Sequence, residues 1–280
     1  IKRKTAWSNM STPGPRLLLT APAPNNSDTM IIRRVPESNV FQFYRGHPEQ
    51  FTSQIISSVK TWGLPIFAQR LFPNARFGIN AIEHLGQLHN NPYSLELSAT
   101  NKTYQDVFSI LTDSQITVTP TLVAFGGFQR LAANSETWAK DPAYLLMFSP
   151  DERAKWQSTT EPRVALDNLQ AIVARLVEAG GRIATGSDTP AVPYGLGLHA
   201  ELALLAETGL SNAQVLRFAT ADSAAALGLH QDLGTIEPGK LADFVFLNGN
   251  PLVRIQDSLT IESVIKNGLW IDRETLLKAP

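Results

Sequence analysis

No cysteine occurs among the 280 residues, which excludes disulfides, thiolate metal sites and cysteine nucleophiles. A cysteine-free chain suits oxidising and reducing compartments alike. A net charge of -1 and a pI of about 6.6 leave no broad cationic field to draw the chain onto nucleic acid or anionic lipid. The basic trio Lys2, Arg3 and Lys4 reads as a solvated tail. No run approaches the roughly 20 apolar residues of a membrane span, and the polar start Ile1 to Asn9 has no hydrophobic region of the signal-peptide kind. Three catalytic signatures are missing as well: the Gly-x-Ser-x-Gly elbow, the phosphate-cradling Gly-x-x-x-x-Gly-Lys and the Rossmann glycine fingerprint. Any metal must therefore be held by His, Asp, Glu or a modified Lys.

What is present is the composition of a globular protein, 43% hydrophobic and 18% charged, able to bury one large core. From Pro15 to about Leu229 short apolar runs alternate with segments of helical period, the pattern of βα units on a parallel sheet. Six strands are expected, over Arg16 to Thr20, Val40 to Tyr44, Pro65 to Ala68, Ala81 to Leu85, Ile116 to Leu122 and Arg182 to Gly186. Apolar residues three and four apart predict helices over Glu49 to Trp62, Tyr104 to Ser114, Glu161 to Ala179 and Leu196 to Thr208. Pro22 to Pro36 and His89 to Thr103 are polar connections, and Gly126-Gly127 reads as a turn. The insertion Gly126 to Gln157 carries Trp138, Tyr144, Phe148 and Trp156, which either cover a substrate mouth or pack onto the barrel beneath. Beyond Leu229, glycine and proline punctuate short β runs such as Asp243 to Leu247 and Ser263 to Lys266, a small antiparallel unit. The expected division is 1–229 and 230–280.

Thr185-Gly-Ser-Asp-Thr-Pro190, Val192-Pro-Tyr-Gly-Leu and His199-Ala-Glu-Leu, followed by Leu233-Gly-Thr-Ile-Glu-Pro-Gly-Lys-Leu-Ala-Asp243, Asn250-Pro251 and Val264-Ile-Lys-Asn-Gly268, form an ordered series of motifs. Together they resemble the last barrel strand and sandwich tail of the amidohydrolase superfamily, in its imidazolonepropionase-like and prolidase-like branch. Gly63-Leu-Pro-Ile and Ala81-Ile-Glu-His84 continue the likeness upstream. The resemblance implies an α/β fold of the (β/α)8 TIM-barrel type, incomplete here and comprising strands three to eight, with a small C-terminal β-sandwich part. It also implies metal-dependent hydrolysis of a C–N bond in a small amide or peptide-like substrate, and a divalent ion, zinc foremost. Some members of the branch are exported.

The same resemblance places the ligands. Asp188 takes the position of the strand-eight Asp, as metal ligand and catalytic proton shuttle, and His84 that of the strand-six His. Gln69 in Phe67-Ala-Gln-Arg-Leu-Phe-Pro73 and Gln42 in Phe41-Gln-Phe-Tyr44 stand where the family has a His and the bridging Lys. Neither amide matches imidazole or carbamate as a ligand. The strand-one His-x-His is missing, since the histidines are His47, His84, His89, His199 and His230, so two of six customary ligands remain. Tyr194 and His199 are candidate substrate contacts, while His47, His89 and His230 read as solvated loop residues. Two functions follow. In one, an upstream segment or a partner chain completes a hydrolase; in the other, the chain is an inactive relative, without metal, serving as an accessory subunit of a larger complex. Either way the open strand edges of an incomplete barrel call for a protein partner or a further segment.

Overall fold

A computed structural model of the chain describes residues 19–22, 38–43, 49–85, 105–134, 145–146, 148–158, 163–189 and 191–272. Six strands lie side by side in chain order, every neighbouring pair parallel: β1 (Leu19–Pro22), β2 (Ser38–Phe43), β3 (Ile66–Ala68), β4 (Ala81–Glu83), β5 (Thr117–Thr119) and β6 (Arg182–Ile183). Helices α1 (Glu49–Thr61), α2 (Gln105–Asp113), α3 (Gly127–Asn134), α4 (Pro150–Ser158), α5 (Arg163–Glu178) and α6 (Leu196–Ala206) fill the crossovers and the return from β6. Among the described residues β1 and β6 remain the two edges, so the sheet is the incomplete α/β barrel expected from the motifs.

Strand alternation sorts the side chains onto two faces. Phe41, Ile66, Ala68, Ile82, Val118 and Ile183 point to the helices and form the main core with Ile55, Val59, Leu111, Leu169 and Val173. The register pairs Phe41 with Ile66, Ile82 with Val118 and Val118 with Ile183, so this apolar layer is continuous across the sheet. The opposite face carries Val40, Phe67 and Ala81, packed against Ala226 and Leu227. Gln42 pairs with Phe67 and Glu83 with Thr119, which places polar residues on that same inner face toward the carboxyl ends of the strands. Helix α6 is buried on most sides, consistent with its run of Leu and Ala.

After α6 come α7 (Asn212–Arg217), a π turn over Phe218–Asp222 and α8 (Ser223–Ala226). A three-stranded antiparallel sheet follows, β7 (Phe244–Leu247), β8 (Ile261–Lys266) and β9 (Leu269–Asp272). Lys-Asn-Gly268 proves to be a hairpin. Asn267 and Gly268 take φ of 51° and 79°, the left-handed pair of a two-residue turn, and Asn267 N–H donates to Asp243 Oδ1 at 2.8 Å.

Several details differ from the sequence reading. Gly127 opens α3 instead of closing a turn, because its missing Cβ lets the helix approach Leu204 and the Leu122 carbonyl, 2.3 and 2.6 Å from where that atom would stand. Phe148, in the insertion, is buried in the main core, so this aromatic packs onto the barrel. Trp138, Tyr144 and the side chain of Trp156 lie outside the described residues, as do Arg16 to Leu18, Tyr44, His47 and His89. Among the described residues no helix is long and apolar enough to cross a membrane.

Candidate functional site at the carboxyl rim of the sheet

Side chains from the ends of three consecutive strands converge at the carboxyl rim. His84 follows β4, Thr121 follows β5, and Asp188 lies five residues past β6. The imidazole Nε2 of His84 is 3.7 Å from Asp188 Oδ1, with the ring buried and the carboxylate about one-third exposed. All three residues have positive φ, 67° at His84, 50° at Thr121 and 54° at Asp188. Left-handed backbone is uncommon outside glycine and disfavoured above all for a β-branched threonine; its clustering at one rim marks a place where the fold holds side chains against local preference. At His84 the effect is direct. Alternation after Ile82 would send His84 toward the helices, and the left-handed step turns it to the rim instead.

The imidazole is held by hydrogen bonding at its other nitrogen. Thr121 Oγ1 donates its only proton to the Pro120 carbonyl at 2.8 Å, and the same oxygen lies 2.9 Å from His84 Nδ1. A hydroxyl so committed would accept from Nδ1–H, the tautomer in which Nε2 presents its lone pair to Asp188. Burial lowers the His84 pKa, partly opposed by the Asp188 charge. The neutral ring is the form that can bind a metal.

Glu83 is a site residue that the motif reading passed over. It lies on the inner face, and burial first, then the negative field of Asp188, raises its pKa to about 7, opposed by a hydrogen bond with Thr119. Its period-2 position relative to Ala81 was the available signal: an acidic residue on the inner face of a buried strand is rare unless something uses it. Register puts Gln69 at the level of Glu83, since Phe67 pairs with Ala81, and Gln42 one pair deeper, opposite Phe67. Tyr194 is 59% exposed on the loop before α6. His199 Nδ1 bonds Ser258 Oγ at 2.9 Å, tying α6 to the tail, and His230 is exposed. His84 and Asp188 are thus brought together, and His199 is held through Nδ1 by Ser258.

The motif Thr-Gly-Ser-Asp also acquires a physical reason. A Cβ at Gly186 would stand 2.6 Å from the Thr119 methyl and 3.4 Å from that of Thr121, so glycine lets the Asp188 loop lie against the end of β5.

His84 Nε2 and Asp188 suit a divalent transition metal chemically, and their spacing is one that two ligands of a single ion can share. Among the described residues no group of three or more His, Asp or Glu gathers to hold an ion. The pair therefore accounts for two ligands.

A parallel α/β sheet presenting an imidazole and a carboxylate at its carboxyl rim has the layout of an incomplete α/β barrel. The amidohydrolase family model matches residues 144–271, so the recognition from the motifs holds, and the chain carries amidohydrolase-family sequence over that span. No curated protein sequence matches the chain. Solved structures with the same fold include a Xaa-Pro dipeptidase with bound methionine in its active site (19% identity, TM-score 0.60, 84% of this chain and 55% of that one). The A. niger ochratoxinase matches at 18% identity and TM-score 0.59 over 84% of this chain and 51% of that one. A bottromycin amidohydrolase matches at 23% identity and TM-score 0.57 over 85% and 57%. The chain spans little more than half the length of these structures.

Proposed function

We propose that the chain supplies the later strands of an amidohydrolase that cleaves a C–N bond in a small amide or peptide-like substrate, with Asp188 and His84 at its mouth. The observation that carries this reading is the 3.7 Å approach of Asp188 Oδ1 to Nε2 of the buried His84. In it, residues 1–229 form the barrel portion and 230–280 the sandwich segment, and a preceding segment or a partner chain adds the missing strands and ligands. His84 Nε2 and Asp188 would hold a divalent ion, zinc foremost, which when bound makes water a nucleophile at neutral pH and polarises the amide carbonyl. Asp188, open to solvent on one side, accepts the proton of the attacking water. As the C–N bond breaks, it returns that proton to the departing nitrogen. Exposed Tyr194 lines the approach and meets substrate. In this reading His199, held by Ser258 through Nδ1, is the second candidate substrate contact. Export, as in some members of the branch, belongs to the same reading.

Gln42 and Gln69 favour a second reading, an inactive accessory subunit, because carboxamides replace two ligands on the inner face. One preparation separates the two. The whole chain, isolated with whatever it associates with in its source, is assayed for bound metal and for hydrolysis of dipeptides and N-acyl amides. The enzyme reading expects stoichiometric metal and turnover that Asp188→Asn lowers by roughly 100-fold or more. A metal-free chain bound to other subunits and inert toward these substrates would establish the accessory reading.

A further inference from the structure

Behind the rim lies a carboxylate that the hydrolytic reading does not use. Glu201, on α6, is wholly inaccessible to solvent. Its Oε2 accepts from the Val123 amide at 2.8 Å, the amides of Leu122 and Thr121 are also directed at the carboxyl group, and Oε1 has no hydrogen-bond partner. These three amides begin the short 3-10 turn over Leu122–Ala124, whose first residue out is Thr121 in the left-handed region. No side chain caps this turn from its own N-terminal residue. The capping is supplied instead from 78 residues away. An apolar residue would fill the same volume in α6 without burying a carboxyl group, so the position calls for an acceptor.

The contacts run in one direction. Glu201 fixes the amides of residues 121 to 123; that turn holds Thr121 in a conformation it would not adopt alone; the Thr121 hydroxyl, spent on Pro120, accepts from His84 Nδ1; and Nε2 is left facing Asp188. We propose that Glu201 and Thr121 are positioning residues that set the tautomer and aim of His84. Their value for catalysis rests on the hydrolase reading given above, whereas the tautomer itself does not.

The test is nitrogen NMR of the whole chain labelled at histidine, at mildly alkaline pH, with His84 identified by the resonance lost in His84→Gln. Wild type is expected to show a protonated Nδ1 and a bare Nε2. In Thr121→Val the shape is kept and the acceptor lost, so the Nδ1–H population relative to Nε2–H falls by roughly tenfold, the weight of one ordinary hydrogen bond. Thr121→Ser restores it. Glu201→Gln, which keeps an acceptor for the amides, retains the wild-type tautomer; Glu201→Leu shifts it as Thr121→Val does. Since Glu201→Leu can also unfold the chain, the decision falls on Thr121→Val. A wild-type ring protonated at Nε2, or a folded Thr121→Val protein with an unchanged tautomer, overturns the proposal. A shifted tautomer in a chain that hydrolyses nothing leaves the positioning intact and removes the hydrolase reading alone.

Discussion

Glu201 gives the clearest consequence at the scale of single residues. Burial raises its pKa from 4.5 to about 8 against the opposing pull of three backbone amides, so the folded state keeps a proton that the unfolded chain has already released. The stability associated with that proton is complete below pH 4.5 and is lost as pH rises through about 8. Over that window Glu201 lowers stability at up to roughly 1.4 kcal/mol per pH unit. Urea unfolding midpoints measured between pH 5 and 8 are therefore expected to fall with rising pH. In Glu201→Gln, which cannot ionise, the fall is shallower by that share, and the variant is relatively more stable at the alkaline end. Equal slopes in the two proteins would mean that the carboxyl group is ionised in the fold. This residue stood in the motif His199-Ala-Glu-Leu, but nothing in a helical run of Leu and Ala tells which turn of a distant strand its one acid will cap. Asp188 and His84 were legible because ordered motifs fixed their places on successive strand ends. Glu83 was legible only as an acid in period two with Ala81; its raised pKa comes from burial and from the nearness of Asp188, both products of the fold.

At the scale of elements, the six parallel strands were readable from alternating apolar runs, and β4, β5 and β6 are shorter than expected because their rim residues leave the ladder. Expected Ile116 to Leu122 becomes Thr117–Thr119, since Thr121 steps into the left-handed region and begins a 3-10 turn. Expected Arg182 to Gly186 becomes Arg182–Ile183, and the remainder bends against β5. Strand β9 was missed, although the Asn-Gly pair before it is a strong hairpin signal. The packing of Gly186 against the end of β5 makes a prediction specific to this junction. Gly186→Ala forces a methyl group onto the Thr119 methyl, 2.6 Å from the new atom, and is expected to cost roughly 1–3 kcal/mol of stability, as overpacking does. Thr119→Ser deletes that methyl. In the double variant much of the loss should return, giving a coupling energy in a double-mutant cycle of denaturant midpoints. Strict additivity would show that Gly186 is required for its backbone and not for the contact.

The whole molecule presents two unsatisfied surfaces. Strands β1 and β6 end the parallel sheet without neighbours among the described residues, and the tail sheet exposes Val245, Phe246, Leu269 and Trp270, each between 43% and 61% accessible. By the register Phe246 and Trp270 share one face of the tail sheet, with ring centroids 5.4 Å apart, and Val245 and Leu269 lie on the other, so both faces carry exposed apolar side chains. Open edges add backbone donors and acceptors to this surface. Expressed alone, the 30.6 kDa chain is expected to bind the dye ANS and to elute from a sizing column ahead of a monomer, increasingly so at higher concentration. Phe246→Ser with Trp270→Ser removes the aromatic pair from its face of the tail sheet without touching either edge of the parallel sheet. If the tail face drives association, the double variant moves toward the monomer position and loses most of its dye signal. If the parallel-sheet edges drive it, dye binding drops while the elution position stays where it was. A monomer that binds no dye would show that both surfaces are covered by the chain itself.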